Sequence, residues 1–192
     1  MKATFAKIIR ILSVPPIMVS FLLVILKANR PEIFHNNADL LISIMLLGIV
    51  PVLAYPFQFL FPALKQNGRK QQRKLAFIFS LAGYSSAFLW SVIVYTSREM
   101  QMICTTYFLS LVLLILFNKV LKKRASGHAC SITGPLVFLV FFVDWRLVFP
   151  CLFIATLIFW SSLYLKRHTI PDLFWGVLSN LFAFALSFLI IL

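Results

Sequence analysis

Acidic residues are almost missing from this chain: Asp and Glu together number five among 192 residues, and histidine only three. Charge of either sign is scarce, at 12% of residues, while 61% are hydrophobic. Soluble domains are about 45–50% apolar, and one of this size has no interior able to hide the excess. A water-soluble globular domain is therefore excluded, and a polytopic membrane protein is expected. The little charge present is lopsided, with a net value of +13. A basic balance can mark a nucleic-acid binder. Here the cations sit at the ends of apolar runs, where membrane proteins place them. No soluble basic region is left to grip a duplex, so no nucleic-acid partner is expected. Cys104, Cys130 and Cys151 are odd in number and lack CxxC spacing, which excludes a disulfide framework and a zinc site. Buried free thiols are expected, and no metal or other cofactor is implied. No repeat or low-complexity linker divides residues 1–192, which read as a single membrane domain.

Seven apolar runs are present, at about 10–27, 40–63, 75–96, 101–119, 129–143, 147–165 and 172–192. Most approach the roughly 20 residues needed to cross the hydrocarbon. The fifth is short. Their apolar positions are continuous rather than alternating, and in lipid every backbone group must be satisfied internally. The expected fold is all-α, a polytopic transmembrane helix bundle of six or seven helices. Lys2, Lys7 and Arg10 precede the first run as in a signal peptide. That run reaches Lys27 without a small-residue cleavage site, so a retained membrane helix is expected. Val14-Pro15-Pro16 is expected to kink it or to make it a half-helix. Trp145, Trp160 and Trp175 suit the interfacial belt.

The flanking cations orient the bundle. With seven spans, 14 of the 18 basic residues fall on one side and four on the other. The rich side holds the N-terminus, the loop from Lys65 to Lys74, the loop from Lys119 to Arg124, and Lys166 with Arg167. The positive-inside rule assigns that side to the cytoplasm. With the last two loops set aside, the bias remains eight to four.

Two of the three histidines stand in those last two loops. His128 closes Ser126-Gly127-His128 at the start of the fifth run. His168 opens His168-Thr-Ile-Pro-Asp172 at the start of the seventh. An antiparallel helix pair between the loops would bring them together. His35, beside Asn36 and Asn37, reads as a solvated loop residue. Asp172 follows His168 by four residues, so a helix starting near His168 would stack the two on one face. A carboxylate at one ring nitrogen fixes the tautomer and leaves the other as a nucleophile. Pro171 suits an early helical position. His128 is then placed to protonate a leaving group. Backbone N–H groups at Ser126, Gly127 and the helix start are expected to face an anion. Gly127 would let that anion approach the backbone. Lys119, Lys122, Lys123, Arg124, Lys166 and Arg167 favour phosphate over a neutral ligand.

"SGHA" followed by "HTIPDLFWG" resembles the type 2 phosphatidic acid phosphatase superfamily, whose blocks are KxxxxxxRP, PSGH and SRxxxxxHxxxD. The resemblance covers roughly the last 75 residues. It implies that His168 is the nucleophile, Asp172 its orienting carboxylate and His128 the general acid. Ser126 and Gly127 would contact phosphate, and Gly176 would be the small residue on the last helix. The implied activity is metal-independent hydrolysis of a lipid phosphate or prenyl phosphate in the bilayer, through a phosphohistidine. The chain also departs from the pattern. It has no KxxxxxxRP block, Ala125 replaces the proline, and Ser162 stands where the arginine of the last block is expected. Arg124 is the nearest candidate cation to Ser126. Lys166, four residues after Ser162, would supply charge near the missing arginine if that turn is helical. The alternatives are phosphotransfer to an acceptor other than water, and a non-catalytic lipid-phosphate-binding or interaction protein on a degenerate phosphatase scaffold.

Overall fold

A computed structural model describes residues 2–60 and 68–192. Lys65, expected in the second basic loop, lies outside the described residues, as do the side chains of Arg69, Lys70 and Arg73. Helix is the only regular structure among the described residues. We number the main helices α1 (Lys2–Leu12), α2 (Pro15–Asn29), α3 (Asn37–Gln58), α4 (Gly68–Ile93), α5 (Arg98–Val120), α6 (Gly127–Phe142), α7 (Trp145–Tyr164) and α8 (Ile170–Ile191). Five of these (α3, α4, α5, α7 and α8) contain stretches long and apolar enough to cross a membrane. The count is six if the bent α1–α2 pair forms one span. The helix α6 is apolar but has only 16 residues.

The first apolar run is broken, as its proline pair predicts. Pro15 and Pro16 lack the N–H groups that would continue the helix, and α1 and α2 meet at 58°. Arg10 therefore lies in the last turn of a helix of its own. In α3, Pro51 removes the donor for the carbonyl of Leu47. The preceding turn, Ile44–Ile49, widens to π geometry.

The helix α5 is the central one. About 61% of its apolar window is buried, against 22–28% for the other four long spans. Met100, Ile103, Cys104 and Tyr107 of α5 pack with Leu22, Leu23 and Leu26 of α2 and Phe138 of α6 in the main cluster. The three cysteines are free and buried. Lipid is as apolar as leucine, so close backbone approach at small residues holds such bundles together. Gly83 of α4 is one such point, since a Cβ there would collide with the Leu46 carbonyl of α3. Gly176 of α8 is another: its Cβ would collide with the Ser126 carbonyl and lie 3.0 Å from Cβ of Ala129.

Candidate functional site

Both histidine-bearing turns begin where a helix stops on a lysine in the left-handed region. Lys122 has φ 52° and Lys166 has φ 51°. That conformation costs a non-glycine residue roughly 1–2 kcal/mol, and it reverses the chain after α5 and again after α7. Each turn then starts a new helix with a hydroxyl cap. Ser126 Oγ accepts from the N–H of Ala129 at 3.2 Å. Thr169 Oγ1 accepts from the N–H of Asp172 at 3.4 Å, and Asp172 Oδ2 accepts from the N–H of Thr169 at 3.0 Å. This reciprocal capping box starts α8 at Ile170, two residues after the start near His168 that the spacing suggests. His168 thus stands outside the helix. Its Nδ1 is still 3.7 Å from Asp172 Oδ2.

The two turns are joined directly. The N–H of Ser126 donates to the carbonyl of Asp172 at 2.8 Å. That N–H, expected to face an anion, instead straps the SGH turn to α8, while the Ser126 side chain is buried as a cap. Gly176 allows the approach. Arg124 Nε lies 3.6 Å from Asp172 Oδ2 with an exposed side chain, so it adds a second basic group to the carboxylate that faces His168.

A cavity of about 520 Å³ opens beside these groups. Its wall includes Arg124, Gly127, His128 and His168, and continues along Phe77, Leu111 and Leu114. Gly127 is open: a Cβ there would meet only Cδ1 of Leu114, at 4.0 Å, so the protein itself leaves that space unfilled. Lys119, Lys123, Lys166 and Arg167 stand outside this wall. Lys119 lies in the π turn that ends α5. Lys123 places Nζ 5.8 Å from the ring centroid of Trp175, which packs on Phe117 at 5.2 Å rather than facing lipid alone. Arg167 donates its backbone N–H to the carbonyl of Ser162 at 3.0 Å. The helical turn that would bring Lys166 over Ser162 does not exist, because α7 ends at Tyr164 and Lys166 is exposed.

Three residues not singled out from the sequence also build the site. Asn118 clasps the loop before Ser126: its Oδ1 accepts from the N–H of Ala125 at 3.1 Å, and its Nδ2 donates to the carbonyl of Ala125 at 3.3 Å. A proline at 125 would lack that N–H, so alanine and the clasp belong together. Ser13 Oγ lies 3.3 Å from His128 Nε2. Arg10 also lines the cavity, and its Nη1 donates to Ser162 Oγ at 3.4 Å. Asn118 could have been suspected as an amide near a membrane helix end; nothing local marks Arg10 or Ser13. Among the described residues no three His, Cys, Asp or Glu side chains converge in a metal-binding group.

Compared with known proteins, the chain matches no family model, no curated protein and no solved structure.

Proposed function

We propose that this integral membrane protein is a phosphatase of the type 2 phosphatidic acid phosphatase kind, hydrolysing a lipid phosphate or diphosphate without a metal. The observation that carries this reading is one cavity lined by His128 and His168, with Asp172 3.7 Å from Nδ1 of His168 and an apolar wall continuing from them. Nδ1 faces the carboxylate, so Nε2 of His168 attacks phosphorus. The P–O ester bond breaks as the P–N bond forms, and the leaving alkoxide takes a proton from His128. Burial and the Arg10 guanidinium hold that imidazole below its ordinary pKa, so it carries the proton only once the phosphate dianion is bound beside it. Water then attacks phosphorus, His128 accepts its proton, and the P–N bond breaks to release inorganic phosphate and restore His168. Phosphoryl transfer is catalysed mostly by positioning and by charge on the phosphoryl oxygens. Arg124 and the N–H groups at the start of α6 suit that work. The apolar wall suits a lipid or prenyl tail. The excess of Lys and Arg flanking these turns favours a cytoplasmic site, in a bacterial-type inner or plasma membrane.

The test is phosphate release by detergent-purified protein from phosphatidic acid, phosphatidylglycerophosphate and a polyprenyl phosphate, with chelator present. Release from at least one is expected. Binding of these lipids without turnover of any would favour the non-catalytic reading.

A further inference from the structure

The amphipathic helix α1 packs on α7 through the face that carries Ala6, its one buried residue, while Phe5, Ile8, Ile11 and Leu12 stay exposed. Ser161 Oγ of α7 donates to the carbonyl of Ala6 at 2.7 Å, with both residues fully buried. Phe5 packs its ring 6.1 Å from that of Trp160. Arg10 follows Ala6 by four residues and so shares its helix face. Lys2 and Lys7 are exposed, as topology-setting cations should be, but Arg10 is half-buried and turned toward Ser162. Ser13, three residues on and buried, reaches His128. The break at Pro15-Pro16 lets α1 lie across the end of α7 while α2 runs along α6.

We propose that Arg10 is a phosphate-binding residue, delivered by α1 to the place beside Ser162. The inference rests on the phosphatase reading for the identity of its ligand. Three observations support it: Arg10 lines the same cavity as His128, His168 and Arg124; its guanidinium touches Ser162 Oγ; and the helix carrying it is fastened to α7 one turn earlier. A guanidinium fork suits the equatorial oxygens of a phosphoryl group, and a lysine matches them less well. The site is thus assembled from α1, α6 and α8.

The experiment uses the full-length protein in detergent, with inorganic phosphate and orthovanadate as probes and thermal unfolding as the first readout. Millimolar anion should raise Tm of the wild type. Arg10→Met should leave the anion-free Tm nearly unchanged and lose the anion-dependent rise. On any lipid phosphate that is turned over, Arg10→Met should lower kcat/KM by roughly 100-fold, as removal of a single oxyanion donor does. Arg10→Lys should fall between the two. Arg10→Met combined with Ser162→Arg, which returns a guanidinium from the other side of the contact, should regain most of the anion-dependent rise. A purely structural Arg10 would instead lower the anion-free Tm. An Arg10→Met variant that keeps the anion-dependent rise overturns the proposal, as does a wild type whose Tm does not respond to either anion. If no lipid is hydrolysed, the phosphatase reading fails alone, and the anion response still decides the place of Arg10.

Discussion

His168→Ala is expected to reduce phosphate release by at least roughly 10,000-fold, in line with the loss of other enzymic nucleophiles. The helix content and thermal stability of the purified protein should hardly change. His168 lies in the turn before α8, not in a helix, and its 3.7 Å pairing with Asp172 is a small part of what holds α8 in place. The capping box of Thr169 and the strap from Ser126 to the Asp172 carbonyl use none of its atoms. Turnover that persists in a well-folded His168→Ala protein would remove the nucleophile from the mechanism. Steady-state phosphate release beside circular dichroism of the same sample separates the two outcomes.

The second large effect is expected at Asp172, where chemistry and architecture share one side chain. Its Oδ2 accepts from the N–H of Thr169 at 3.0 Å and also faces His168 and Arg124. Asp172→Asn keeps an oxygen for the Thr169 N–H but loses the charge that holds the imidazole in its tautomer and stabilises its cationic form. Turnover should fall by about 100- to 10,000-fold, the upper end being the cost of the same change in a serine-protease triad, with Tm almost intact. Asp172→Ala should lose comparable activity and also lower Tm, because the Thr169 N–H loses its acceptor and only the Thr169 half of the capping box remains. If Asp172→Asn matched wild type in turnover, the carboxylate would be a cap and nothing more. Parallel kcat and thermal-unfolding measurements on the two variants distinguish charge from capping.

Much of the bundle was legible because membrane helices carry their own signal. Continuous apolar runs gave the helices, and Pro15-Pro16 gave the bend. The shortness of the fifth run reappears as the 16-residue α6. The two histidine turns were legible as short blocks, since capping residues and the His-to-Asp spacing are local. The relation between α1 and α7 was not legible. Arg10 and Ser162 are 152 residues apart, and their contact depends on a helix folded across a bundle. An arginine near an N-terminal apolar run looks like any topology cation. Lys166 is near Ser162 in sequence and would supply charge there if the turn were helical, but α7 stops at Tyr164 and the left-handed turn carries Lys166 outward. The backbone of Ser126 departs from its local expectation for a related reason. Its N–H could serve an anion only if nothing else in the fold reached it first, and the Asp172 carbonyl does. Sequence patterns report groups within about one helical turn of each other; which distant backbone atom takes a given N–H is decided by packing.

The most direct measurement of the central claim is the covalent state of His168 during turnover. Full-length protein would be mixed with a lipid phosphate labelled on phosphorus, quenched in alkali within the first turnovers, and digested for mass spectrometry. The account predicts a phosphoryl group, stable in alkali and released by acid, on the peptide holding His168, and no label on that peptide in His168→Ala. Labelled inorganic phosphate released from the lipid, with His168 unmodified at every quench time and the label found on another side chain, would contradict it.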